Sequence, residues 1–258
     1  MNQHKVKNIL FSQNPPTDFE RSPYANLAKE HSVSIDFYKF FQINSVSVAD
    51  FRKSKIDILD YPSIIFTSKN AVDHFFRIVK DLNISKLSTN TNYFCINATT
   101  AHYLQKYAVY RKRRVFFSPK GNPEELVTEI SNHETDRFLF PSAIDSSNNQ
   151  LIGLLDKAKI DYTKAEVFTI SFADVSQIID LYAYDMVVFF SPYGIQTLLH
   201  SYPDFKQGNM LIGALGSQVV KAAQAVGLEV QVMAPTKEHP SIFSAIDDYL
   251  QKSNKRIR

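Results

Sequence analysis

One phrase is written twice in this chain. Ile64-Ile65-Phe66-Thr67-Ser68-Lys69-Asn70-Ala71-Val72 leads to Phe75-Phe76. At an offset of 123 residues, Val187-Val188-Phe189-Phe190-Ser191-Pro192-Tyr193-Gly194-Ile195 leads to Leu198-Leu199. Each copy opens on an unbroken apolar run, the pattern of a strand buried on both faces. Each then reaches a serine, a favoured helix N-cap, with apolar residues at helical spacing beyond it. Pro192 also suits a first helical position. Both copies therefore predict a strand whose carboxyl end turns directly into a helix.

Three more features recur in the same order. Cys95-Ile96-Asn97-Ala98-Thr99-Thr100-Ala101 is echoed by Leu211-Ile212-Gly213-Ala214-Leu215-Gly216-Ser217, with Asn97 set against Gly213 at an offset of 116. Phe117-Ser118-Pro119 and Met233-Ala234-Pro235 each precede a helix-like segment, Glu124 to Ile130 and Ile242 to Leu250. The lead-ins match as well: Ile9-Leu10-Phe11 before a Leu27-Ala28 helix, Phe138-Leu139-Phe140 before a Leu154-Leu155 helix. Such order implies a diverged duplication of one α/β unit. Strands alternate with helices throughout, which predicts parallel sheets covered on both faces.

Read in order, Lys5 to Ser12 is a strand, Pro23 to Glu30 a helix and Val33 to Phe41 a second strand. Gln42 to Val48 is polar and fits neither pattern, and Ala49 to Asp60 reads as a helix. Beyond the Ile64 strand come a helix from Ala71 to Lys80, a strand from Tyr93 to Ile96 and a helix from Thr100 to Tyr107. A strand at Val115 to Phe117 follows. The seam of the duplication lies near Ser131 to Asp136, and the basic tail from Lys252 to Arg258 is expected to fray.

Composition removes several function classes. A single cysteine, Cys95, in an apolar strand pattern points to a buried inert thiol and excludes an internal disulfide. The seven histidines (His4, His31, His74, His102, His133, His200, His239) show no metal-site spacing. No Gly-x-Gly-x-x-Gly, Walker-type loop or Gly-x-Ser-x-Gly elbow is present. A net charge of +3 is too small to argue for nucleic acid, and Arg111-Lys112-Arg113-Arg114 reads as a solvated lead-in to a strand. No apolar run reaches the roughly 18 residues of a membrane span, and the N-terminal residues lack a signal peptide's apolar core. The expectation is a cytoplasmic, monomeric protein that touches neither membrane nor nucleic acid.

The strand-to-helix turns remain. In open parallel sheets ligands bind beyond the carboxyl ends of the strands. Here those ends carry Ser68, Lys69 and Asn70, then Asn97 to Thr100, then Ser191 to Gly194, then Gly213 to Ser217. Each turn would offer helix-start amides and the positive end of a helix dipole. Two such sets facing one another would cradle a polyanion. The plainer alternative is that these residues only cap their own helices.

At these turns the chain resembles the uroporphyrinogen-III synthase family. The resemblance rests on Ile65-Phe66-Thr67-Ser68-Lys69-Asn70-Ala71-Val72, Asn97-Ala98-Thr99-Thr100-Ala101 with Leu104, and Phe190-Ser191-Pro192-Tyr193-Gly194. Ile212-Gly213-Ala214 with Ala222-Ala223 and Gly227-Leu228 completes it. It implies two similar α/β domains, each a parallel sheet flanked by helices, joined by a two-stranded linker with one domain inserted in the other. Projected here, residues 1–38 and 173–258 form one domain, 43–166 the inserted one, and about 39–42 and 167–172 the linkers.

The implied reaction is closure of hydroxymethylbilane, a linear tetrapyrrole with eight carboxylates, to uroporphyrinogen III. The last ring is inverted, water is lost and no cofactor is used. A transient contact with hydroxymethylbilane synthase is also implied. Thr100 and Tyr193 are the expected catalytic residues. Ser68, Lys69, Asn70, Asn97, Thr99, Ser142, Ser191, Gly194, Gly213, Gly216 and Ser217 are expected to bind substrate, and Phe168 to pack on a pyrrole. Two departures stand out: the family's second-copy threonine aligns with Gly216, and its pocket tyrosine with Phe168. They leave open a non-catalytic tetrapyrrole- or anion-binding relative.

Overall fold

The computed structural model describes residues 5–133, 136–144 and 150–255, with side chains to 253. The duplication seam and the basic tail thus lie partly outside the described residues, as does His4. The chain folds as two compact units, residues 1–42 with 171–258 and residues 43–170.

The first unit contains β1 (Asn8–Phe11), α1 (Pro23–His31) and β2 (Ser34–Phe37). After the second unit it resumes with β9 (Met186–Phe189), α7 (Pro192–Ser201), β10 (Leu211–Leu215), α8 (Ser217–Ala225), β11 (Val232–Ala234) and α9 (Ile242–Lys255). Its sheet runs β11-β10-β9-β1-β2, parallel throughout. Alternate strand residues face opposite ways. Leu10, Val187, Phe189 and Ile212 pack under α7 and α8, while Ile9, Phe11, Met186 and Val188 pack under α1 and α9.

The second unit contains β4 (Ser63–Phe66), α3 (Lys69–Asp81), β5 (Asn92–Cys95), α4 (Ala98–Tyr103), β6 (Val115–Phe117), α5 (Pro123–Ser131), β7 (Phe138–Ala143), α6 (Gln150–Lys157) and β8 (Tyr162–Phe172). Ahead of them lie β3 (Phe41–Ser45) and α2 (Val48–Lys53). The sheet order is β3-β8-β7-β4-β5-β6. Ile64, Phe66, Tyr93 and Cys95 face α3 and α4; Ile65, Phe94, Phe138 and Phe140 face α5 and α6. Both sheets are covered on both faces, as the continuous apolar runs require.

The two sheets correspond in order: β6-β5-β4-β7-β8 matches β11-β10-β9-β1-β2. Within this match the lead-ins change places. β7 pairs with β4 (Ser63 beside Phe138), and β1 pairs with β9 (Ile9 beside Met186). Each copy's core strands thus take the lead-in that follows them, in circular order.

Three local expectations are corrected. The uncommitted stretch from Gln42 holds all of β3 but its first residue, Phe41, and just beyond the strand the Val46 amide hydrogen-bonds Val167 O at 3.2 Å. The helix expected from Ala49 to Asp60 stops at Lys53, and a 3-10 turn follows at Ile58–Asp60. Asp57 caps that turn by accepting from the Leu59 amide, an alternative to continued helix. The long second strand from Val33 to Phe41 is broken between Phe37 and Phe41.

Candidate functional site

In a parallel sheet every carboxyl strand end lies on one edge, so each unit gathers its strand-to-helix turns on one rim. On the second unit's rim, Ser68 is the N-cap of α3, its Oγ accepting from the Ala71 amide at 3.1 Å. Asn97 caps α4 by accepting from the Thr100 amide at 2.9 Å. Lys69, Asn70 and Thr99 lie at these helix starts, open to solvent in whole or in part, whereas Thr100 is only 3% exposed. Ser142, near the end of β7, is buried with no hydrogen-bond partner for its hydroxyl among the described residues. Such an orphan is costly unless a ligand or water meets it.

On the first unit's rim, Ser191 caps α7 by accepting from the Tyr193 amide at 3.2 Å. Tyr193 packs its ring against Phe41, centroids 5.6 Å apart, and burial raises its phenol pKa. That phenol stays protonated at neutral pH and retains a proton to give. Ser217 is exposed at the start of α8, with Gly216 as the N-cap at φ +95°.

The structure re-registers the second echo. β4 sets Phe66 beside Cys95, and β9 sets Phe189 beside Ala214, so Asn97 corresponds to Gly216 at an offset of 119. The offset of 116 with Asn97 against Gly213 is wrong by nearly one helical turn. Both echoed segments are small and apolar, and only the neighbouring strand distinguishes the two alignments. The residue opposite Thr100 is Val219, not Gly216.

Two glycines have packing reasons of their own. Gly213 is buried within β10, where a Cβ would come 3.1 Å from Val188 Cγ2. Gly194 is buried in the first turn of α7, and a Cβ there would stand 2.9 Å from Phe189 Cδ1 and 3.4 Å from Ser12 Oγ. Both make room for neighbouring side chains. Phe168 is 6% exposed in the core of the second unit, its ring stacked on His74 at 5.2 Å. A ring approaching from that side would meet His74 first.

Sequence spacing missed what the fold assembles from distant residues. His31 Nε2 lies 2.7 Å from Asp247 Oδ1, and ligand atoms of Glu30, His31 and Asp247 all fall within 4.8 Å of one another. The direct His31–Asp247 hydrogen bond across α1 and α9 accounts for that grouping. Arg114 of the basic run bonds Asn92 Oδ1 at 3.0 Å, a structural use. A cavity of about 500 Å³ beside β6, lined by Tyr110, Lys112, Phe117, Glu125 and Glu129, contains none of the rim residues above. Its two carboxylates would repel a polyanion.

Two units of the same α/β plan, each with polar helix caps along the carboxyl rim of its sheet, define a duplicated two-unit α/β protein. The comparisons then narrow the class. The model of the uroporphyrinogen-III synthase family, HemD, matches residues 22–244. The chain belongs to the uroporphyrinogen-III synthase family, and its activity is that of a cyclising hydro-lyase of heme biosynthesis.

Among solved structures it is similar to a mutant uroporphyrinogen III synthase from the extreme thermophile Thermus thermophilus, at 12% identity and a TM-score of 0.67. That likeness covers 97% of this chain and 100% of that one. It is also similar to uroporphyrinogen-III synthetase from Helicobacter pylori 26695, at 17% identity and a TM-score of 0.54, covering 96% and 100%. At such identities the likeness concerns the fold. No curated protein matches the chain by sequence. Among the described residues no helix is long and apolar enough to cross a membrane.

Proposed function

We propose that hydroxymethylbilane is bound through its carboxylates at the carboxyl rim of each unit. Ser68, Lys69, Asn70, Asn97 and Thr99 would serve the second unit, and Ser191, Ser217 and the amides at Gly216 the first. The carrying observation is the set of capped helix starts, with the ammonium of Lys69 beside one of them. Oriented amides stabilise anions without the reorganisation that water requires. The substrate closes unaided to the type I isomer, so the protein's task is to fix the chain's conformation and exclude that path.

Loss of the substrate hydroxyl needs a proton. Tyr193 is the better placed of the two expected catalytic residues, being only partly buried where Thr100 is 3% exposed. We assign proton donation to Tyr193 and a positioning role to Thr100, whose amide locks the Asn97 cap. The residues 39–42 and 167–172 act as linkers between the units in this reading. Because free substrate closes spontaneously, delivery by transient contact with hydroxymethylbilane synthase is favoured.

The test supplies porphobilinogen and hydroxymethylbilane synthase, adds this protein, oxidises the products and separates the porphyrin isomers. Type III in excess is expected. Unchanged type I with tight product binding would instead support an anion-binding relative without activity, the reading that buried Phe168 and Val219 favour. Tyr193→Phe should lower kcat by about 10²-fold or more with a smaller change in KM.

A further inference from the structure

Lys69 is the charged member of the second unit's rim, and its ammonium lies 5.3 Å from the centroid of the Tyr103 ring. The ammonium of Lys106 lies at the same distance, 5.3 Å, from that ring. The Tyr103 hydroxyl donates to both carboxylate oxygens of Asp73, at 2.9 and 2.8 Å. Lys106 donates to Asp73 and to the Tyr103 hydroxyl, each at 3.3 Å. Tyr107 also donates to Asp73, and its ring stacks on Phe76 with centroids 4.9 Å apart.

The charges in this cluster do not cancel. Burial pushes the Asp73 carboxyl up, but the hydrogen bonds of Tyr107, Tyr103 and Lys106 outweigh it and hold the group below its ordinary range. Hydrogen bonds to Tyr107, Tyr103 and Asp73 raise Lys106. Asp73 and Lys106 are therefore both ionised at neutral pH and neutralise each other. Lys69 has no carboxylate partner among the described residues, so the single unmatched charge sits at the head of α3.

We propose that Tyr103 is a positioning residue of the substrate site, holding the Lys69 ammonium on its ring face so that it meets a substrate carboxylate already in place. Asp73 fixes the Tyr103 ring and matches Lys106, which leaves Lys69 as the receiving cation. A lysine side chain is long and flexible, and restraining it beforehand removes an ordering cost that binding would otherwise carry. An electron-rich ring face attracts the ammonium without neutralising it, which an acidic neighbour would do. The inference rests on the reading of Lys69 as a carboxylate ligand.

The experiment is a double-mutant cycle on the full chain, scored by KM and kcat for hydroxymethylbilane, with proton NMR of the Lys69 ε-methylene. Lys69→Met should raise KM about tenfold and Tyr103→Leu several-fold, on the order of what one charged contact and its pre-organisation carry. Tyr103→Phe keeps the ring and should stay nearer the parent. Lys69→Met with Tyr103→Leu should be no worse than Lys69→Met alone, because the ring acts through that lysine. In the parent protein the ε-methylene should show an upfield ring-current shift, lost in Tyr103→Leu and kept in Tyr103→Phe. Additive effects in the cycle, or an unshifted ε-methylene in the parent, would overturn the role of Tyr103 while leaving the site intact. An unchanged KM in Lys69→Met would overturn the carboxylate site itself, and this inference with it.

Discussion

The imidazole of His74 lies over the ring of Phe168, centroids 5.2 Å apart and planes inclined by 27°, while its Nδ1 is 3.0 Å from Ser45 Oγ. The contact ties α3 to β8 and β3. Burial lowers the pKa of His74, the Arg77 guanidinium lowers it further, and Asp73 opposes both. A histidine depressed in the folded state binds fewer protons there than in the unfolded chain. Stability is then fully present above the unfolded value near 6.5 and falls as pH drops toward the folded value. Thermal melts between pH 8 and 5 should show a decline that is shallower in His74→Gln; parallel curves would remove His74 from the account.

Phe168 is held by the core of the second unit, which sets its mutational cost. Phe168→Ala should lose about 3–5 kcal/mol of stability, the range for emptying a buried aromatic site. Phe168→Tyr adds a hydroxyl to a side chain 6% exposed and should cost about 1–3 kcal/mol without raising turnover. Denaturant midpoints and the isomer assay on the same preparations decide both.

Gly216 and Asn97 are counterparts in the duplication but cannot exchange residues. A Cβ on Gly216 would meet nothing within 4 Å, yet its φ of +95° is disfavoured for a side chain. Gly216→Asn, which copies the N-cap of the other unit, should therefore cost about 1–3 kcal/mol from backbone strain. At Gly213 the obstacle is steric instead, Val188 Cγ2 at 3.1 Å, so Val188→Ala should relieve Gly213→Ala and not Gly216→Asn. Urea unfolding of each glycine variant, with and without Val188→Ala, separates the mechanisms.

Cys95 sits in β5 fully buried, and burial pushes its thiol up to about 12. Labelling by a thiol reagent at pH 8 should wait for opening of the second unit and follow its unfolding. Fast labelling of native protein would contradict the packing of Cys95 under α3 and α4.

Much of this was legible because its causes are local. The caps at Ser68 and Ser191 were readable from a serine placed between an apolar run and helical spacing, and both accept the bonds that such a cap accepts. The Cys95 strand was readable from its apolar neighbours. Tyr103 and Asp73 were not singled out, because no spacing rule joins residues on two helices. Their bond exists only once α3 and α4 lie on the same face of the sheet. Gly213 and Gly194 looked like turn residues, and only the positions of Val188 and Phe189 show that they make room for side chains.

From the amino acids alone follow the strand-then-helix order, its repetition and the two-faced burial of the sheets, since alternation and capping act within a few residues. Which lead-in completes which sheet was beyond periodicity and capping, and only the family resemblance set residues 1–38 with 173–258 and Phe138-Leu139-Phe140 with 43–166. Ile9-Leu10-Phe11 and Phe138-Leu139-Phe140 are equally good buried strands, and a parallel partner is chosen by long-range packing. The tertiary structure seats β7 beside β4 and β1 beside β9. It also sets Asn97 against Gly216, because hydrogen-bond register with the adjacent strand, not similarity of letters, decides which residue reaches the rim.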